Sequence, residues 1–180
     1  MRLQPILTLL TATAAAALAG CASSPAPTPP NVPLALQPPA GQVLYLEALA
    51  TGVQIYDCKA KADGGAEWVF KAPEATLADR AGRALGKHYA GPTWEALDGS
   101  TVVGEVKARD PGPDATAIPW LLLAAKANTG TGLFASATSI QRVATVGGPA
   151  PAASGCTAAS VGQVARVPYT ASYYFYRAAP

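Results

Sequence analysis

Hydrophobic positions along the chain fall into two regimes. Between Ile6 and Leu18 they form one apolar run, whereas from Gly41 onward they come in short bursts. The bursts are Val43-Leu44-Tyr45-Leu46, Val53-Gln54-Ile55-Tyr56, Trp68-Val69-Phe70, Thr101-Val102-Val103 and Tyr173-Tyr174-Phe175-Tyr176. They are rich in β-branched and aromatic residues, which suit a pleated, half-buried surface. Turn formers separate them: Asp63-Gly64-Gly65, Asp98-Gly99-Ser100, Pro111-Gly112-Pro113-Asp114, Thr129-Gly130-Thr131-Gly132 and Gly147-Gly148-Pro149. Such spacing predicts an all-β fold, a single antiparallel β-sandwich or barrel-like domain. Two stretches are ambiguous. Ile118 to Ala127 is apolar enough for a buried strand or a short helix, and periodicity does not choose between them. Pro73-Glu74-Ala75-Thr76-Leu77 has the look of a helical start, although Gly82 and Gly86 would soon weaken it.

The first apolar run has a different meaning. A cationic residue, Arg2, precedes it, and Leu18-Ala19-Gly20-Cys21 follows it. A charged start, an apolar segment of about 7 to 15 residues and small residues before a cleavage point make an export signal; a spanning helix needs about 20 apolar residues. The ending resembles a bacterial lipobox, in which cleavage before Cys21 leaves its thiol to carry diacylglycerol and its new amine to be acylated. The alternative is a plain secretory signal that happens to contain Cys. Several acyl chains hold a protein on a bilayer, because each buried methylene contributes about 0.8 kcal/mol. Ala22, rather than Asp, follows the cysteine, as in lipoproteins sent to the outer membrane. Residues 22–40 hold seven prolines with Ser, Ala and Thr, a composition that stays extended and reads as a tether. The expected organisation is a signal peptide over 1–20, lipidated Cys21 with a Pro-rich linker over 21–40, and one β domain over 41–180. The expected location is the bacterial cell envelope, on the outer membrane facing the periplasm.

Cysteine usage agrees with that compartment. With Cys21 given to lipid, Cys58 and Cys156 remain as an even pair in an oxidising space, and a disulfide is expected. On the chain-entropy model, closing a loop of about a hundred residues stabilises a fold by roughly 4 to 5 kcal/mol. Two sulfurs and the single His88 make a poor metal-ligand set, so neither a metal nor a cofactor is expected.

Charge is unevenly spread although the net value is only +2. From Ala22 to Asp114 there are eleven acidic and eight basic residues; after Asp114 there are only Lys126, Arg142, Arg166 and Arg177, with no acid at all. Late strands pairing with early ones would bring these charges together across the sheet. Alternatively, some of the arginines converge on an anionic ligand, since Arg suits bidentate recognition. Nucleic acid is not an expected partner, because that needs far denser Lys and Arg.

Several segments together resemble one family. They are Val53-Gln54-Ile55-Tyr56-Asp57-Cys58, His88-Tyr89-Ala90-Gly91-Pro92-Thr93-Trp94-Glu95, Asp98-Gly99-Ser100, Ala117-Ile118-Pro119-Trp120-Leu121-Leu122, Ile140-Gln141-Arg142-Val143, Gly147-Gly148 and Val167-Pro168-Tyr169-Thr170-Ala171. The chain is similar in these to the domain of unknown function 3455 family of exported proteins, over nearly the whole mature domain. That resemblance implies no assigned activity, though some relatives carry a dehydrogenase label. Gly130-Thr131-Gly132-Leu133-Phe134-Ala135 formally matches a dinucleotide-binding pattern. That pattern requires a helix after the glycines and an acidic residue about 20 positions on. Neither is present here, so the segment reads as a turn.

His88 is the natural candidate base, with Glu95 or Asp98 to orient it. In a regular strand His88 shares a face with Trp94 and not with Glu95, unless a bulge at Gly91-Pro92 reverses the alternation. No Ser, Thr or Cys stands in a nucleophile motif. The aromatics Tyr89, Trp94, Trp120, Tyr169, Tyr174 and Tyr176 read as core or rim before they read as a ligand platform. The reading that results is a membrane-anchored lipoprotein with a non-enzymatic binding domain. It would hold a small anionic ligand, an envelope glycan or a protein partner around His88, Trp94, Glu95, Trp120 and Arg142. A hydrolase using His88 with Glu95 or Asp98, or an inhibitor of an envelope-directed enzyme, is the alternative.

Overall fold

In the computed structural model, residues 26–180 are described; the export signal and Cys21 lie outside them. Eight strands run in chain order: β1 (Gln42–Ala60), β2 (Ala66–Ala78), β3 (Ala84–Tyr89), β4 (Thr93–Ala96), β5 (Thr101–Asp110), β6 (Trp120–Thr129), β7 (Ser139–Gly147) and β8 (Val164–Ala178). Each pairs antiparallel with the next, and β8 returns to β1, so the sheet closes into a barrel without free edges. Closure removes the unpaired backbone groups that an open sheet would present.

The alternation of side chains explains the interior. On β1 the inward series is Ala48, Ala50, Gly52, Gln54, Tyr56; on β8 it is Tyr169, Ala171, Tyr173, Phe175. Small residues on β1 leave room for large ones opposite, as a narrow barrel requires. Trp94 lies across the centre with its ring 5.3 Å from Tyr173 and 5.9 Å from Phe175. Gly104 makes that possible, because a β-carbon there would fall 2.9 Å from the Trp94 ring. The outward face instead carries ion pairs such as Lys107–Glu105 and Arg166–Glu74. This is the reverse of the apolar-out, polar-in pattern of a barrel set in lipid. Among the described residues no helix is long and apolar enough to cross a membrane.

The five predicted turns all join or bound strands, and Ile118–Ala127 resolves as β6 with its approach. Three expectations need correction. Pro73–Leu77 is not helical: it belongs to β2, where Ala75 and Leu77 pack into the barrel and Pro73 pairs with Gln54, two residues from the register shift at Lys71. Residues 88–95 are not one strand: Ala90, Gly91 and Pro92 turn β3 back onto β4, with Gly91 at φ +110°. Nor does ordered packing begin at Gly41. Leu36, in a short 3-10 turn, is fully buried, and its carbonyl accepts a hydrogen bond from Gln141 Nε2 at 2.7 Å. Val32 packs with Trp120, Leu44, Val143, Tyr174 and Tyr176 on the outside of the barrel. Two apolar side chains among the prolines thus convert part of the expected linker into a strap.

Cys58, near the end of β1, bonds Cys156 in the long β7–β8 connection, 98 residues away in sequence. The expected disulfide is present.

Candidate functional site

The two barrel ends differ. At the end bearing the β4–β5 and β6–β7 connections, Phe134 is fully buried against Phe175, 4.7 Å between ring centroids. Its loop is held on both sides. Asp98 accepts hydrogen bonds from the Leu133 and Ser100 backbone N–H groups, each 2.8 Å, while Asn128 Nδ2 donates to the Phe134 and Ala137 carbonyls. The glycine-rich Gly130–Ala135 segment is therefore a stopper. Gly132 lies so near Asp98 that a β-carbon would meet its carboxylate at 2.1 Å.

The opposite end opens into a cavity of about 350 Å³. His88 on β3, Trp94 on β4 and Arg142 on β7 all line it, together with Gln54, Tyr56, Phe70 and Tyr173. Register puts the first two side by side: His88 faces Trp94 across the β3–β4 hairpin, and their rings stack at 4.4 Å with 12° between planes. Arg142 is directed inward because it pairs with Leu121 and Tyr173, both core positions.

Arg142 is fixed by the chain that closes the mouth. Its Nε and Nη2 donate to the Pro119 carbonyl at 3.2 and 2.7 Å. Pro119 is held in turn because Thr145 Oγ1 donates to the Ile118 carbonyl at 2.6 Å. A bulge in β7, with Ala144 at φ +48°, aims that hydroxyl; bulges commonly re-aim side chains beside functional sites. No carboxylate lines the cavity, and among the described residues Arg142 has no ion pair. The other guanidinium at the mouth, Arg109, has none either. Lys71, also at the mouth, is matched outside by Asp57 at 3.4 Å.

Donors prevail inside. Gln54 Nε2 and Trp94 Nε1 are buried without an acceptor, although Gln54 and Trp94 are only 2 % and 1 % exposed. The Gln54 amide lies close enough to Tyr169 to favour its ionised form, but not in hydrogen-bond geometry. Buried polar groups are nearly always paired, so unmet donors call for an explanation. His88 is neutral. Burial pulls its pKa down to about 3, and the Arg142 charge adds to this against the opposing Thr93 carbonyl. A carbonyl can only accept, so Nδ1–H donates to Thr93 O at 2.8 Å and Nε2 is left unprotonated. Burial likewise raises the Tyr173 and Tyr169 hydroxyls, with Arg142 opposing it, and both stay protonated.

Of the five residues expected at the site, His88, Trp94 and Arg142 come together and two do not. Glu95 pairs with Lys87 on the outer face, where Tyr89 Oη donates to it at 2.8 Å and Lys87 Nζ lies at 3.2 Å. Those two partners also hold its carboxyl below the usual range. Trp120 packs outside under the strap. Asp98 belongs to the stoppered end, so neither carboxylate reaches the imidazole. The expected charge pairing holds for Arg166 with Glu74 across β1, while Arg177 lies over the Tyr45 ring at 5.5 Å instead. Gln54, Tyr56, Phe70 and Tyr173 were not singled out from the sequence. The polar Gln54 within the inward series of β1 was the one available signal.

Among the described residues no group of His, Cys, Asp or Glu could hold a metal ion. Taken together, fold and site define a small up-and-down β-barrel, stoppered at one end and cationic at the open other. The chain belongs to the family described as protein of unknown function (DUF3455), whose model matches residues 39–177. No curated protein and no solved structure matches it.

Proposed function

We propose that the protein is a lipid-anchored envelope lipoprotein whose barrel binds a small anionic ligand at its open end without transforming it. The observation that carries the binding role is the inward Arg142 guanidinium in a cavity that no carboxylate lines. A charge placed inside a barrel costs free energy unless something compensates it, and a bound anion does so. The lining offers no Ser, Thr, Cys, Asp or Glu, and His88 is a neutral imidazole whose Nδ1–H is committed to the Thr93 carbonyl. A neutral His without a carboxylate partner or a nucleophile lacks the chain of proton transfers that hydrolysis uses.

The anchor follows from the sequence, with lipid on Cys21 and the outer membrane as the site. Ala26, Pro27 and Thr28 lie beside Asp79 and Arg80 of the β2–β3 turn, at the stoppered end. Five residues span at most about 17 Å, so the leash is short. The stoppered end then faces the bilayer and the cavity faces the periplasm.

A calorimetric screen of the mature domain against small carboxylates, phosphates and envelope glycans tests the reading. It predicts saturable one-to-one binding of an anion that Arg142→Gln weakens. Turnover of a substrate, with no ligand retained, contradicts it.

A further inference from the structure

The cavity's shape and charge narrow the ligand further. Compensation of charge is limited to one unit at depth: Arg142 is the inward cation, His88 carries none, Lys71 is already matched by Asp57, and the unpaired Arg109 is exposed at the rim. Carboxylates are recognised bidentately by guanidinium; the Arg142 N–H groups not used by Pro119 and the Gln54 amide supply the donors. Size is limited as well. Trp94, Phe175 and Phe134 fill the barrel beneath, so the space of about 350 Å³ has no extension for a long acyl chain. At roughly 30 Å³ per water-sized group it holds about a dozen such groups.

One wall is aromatic. Tyr56 on β1 and Phe70 on β2 meet edge to face at 5.6 Å and 66°, on the strands next to the β3–β4 hairpin that carries the stacked His88 and Trp94. Phe70 is 51 % exposed at the rim, an aromatic face left open to solvent beside the mouth. Aromatic rings favour edge-to-face or offset contacts with one another beyond simple area burial. We propose that the cavity takes a compact aromatic monocarboxylate, with its carboxylate on Arg142 and Gln54 and its ring against Tyr56 and Phe70. This rests on the binding role proposed above and names the class of ligand.

The test is calorimetric titration of the mature domain with phenylacetate, phenylacetamide, cyclohexylacetate and decanoate, together with the glycans of the wider screen. Phenylacetate should bind at least ten-fold tighter than the uncharged amide and than decanoate, and several-fold tighter than cyclohexylacetate. Arg142→Gln should weaken phenylacetate by roughly ten- to a hundred-fold, the usual worth of a hydrogen bond to a charged group, and leave the amide unchanged. Should that variant fail to fold, Gln54→Leu serves, with an expected loss of about ten-fold. Equal binding of acid and amide, equal binding of the planar and puckered rings, or preference for decanoate overturns the ligand class while leaving a binding barrel in place. Failure of every compound, glycans included, overturns both.

Discussion

The two ends of this barrel are built from the same kinds of residue and reach opposite states. At the stoppered end the polar groups that hold the plug are paired: Asp98 receives two backbone N–H groups, Ser100 Oγ receives the Phe134 N–H at 3.0 Å, and Asn128 serves two carbonyls. At the open end the Gln54 amide and the Trp94 indole N–H are buried donors without an acceptor, and Arg142 lines a cavity that holds no carboxylate. On the proposed reading, the contrast separates residues placed for stability from residues placed for a ligand. Satisfaction of buried polar groups is the physical criterion, because an unmet donor costs about 1 to 3 kcal/mol.

The comparison can be broken in several ways. Replacing both Cys58 and Cys156 by Ala should have the largest effect. It is expected to lower unfolding free energy by about 4 to 5 kcal/mol in urea titrations and to loosen the β7–β8 connection beside the mouth. Phe134→Ala should remove about 3 to 5 kcal/mol as a buried aromatic does, yet leave ligand affinity unchanged within about two-fold. A large affinity loss in that variant would erase the distinction between the ends.

A pH effect follows at the open end. Unfolded, His88 takes up a proton near pH 6.5; folded, it does so only near pH 3. Acidification through that window favours the unfolded chain, so stability falls from about pH 6.5 down to about pH 3, by an amount on the order of a few kcal/mol. In His88→Gln that part of the slope should vanish from the pH series. Gln54→Leu should have the smallest effect, neutral to about 1 kcal/mol stabilising, because it removes an unmet donor. Destabilisation by several kcal/mol would mean that Gln54 holds up the fold and is not there for a ligand.

Local chemistry that acts over a few residues was legible in the sequence. The turns at 63–65, 98–100, 111–114, 129–132 and 147–149 read directly from Gly, Pro and Asp, and the Cys58–Cys156 bond followed from counting thiols once an oxidising compartment was expected. The shared side of His88 and Trp94 was also right, though through hairpin pairing and not through one strand. What was hidden depended on closure. The stretch Glu47 to Gly52 looks like a poor strand, yet Ala48 and Ala50 are what a crowded barrel axis accepts, and β1 runs through them for 19 residues. Phe134 sits in a glycine-rich loop whose role as a stopper appears only when the ring reaches Phe175. Trp120 and Glu95 lie in family-like segments, but register turns both outward, and no single-strand pattern reveals which face meets a strap or a solvent.

Chemical-shift mapping of the barrel domain during addition of phenylacetate tests the distinction between the ends most directly. The account predicts that the Trp94 indole N–H, the Gln54 side-chain amide and the Arg142 Nε–H move together and saturate, while the Leu133 and Phe134 amides stay in place. Shifts centred on the Leu133–Phe134 loop, or none at the open end at millimolar ligand, would contradict it.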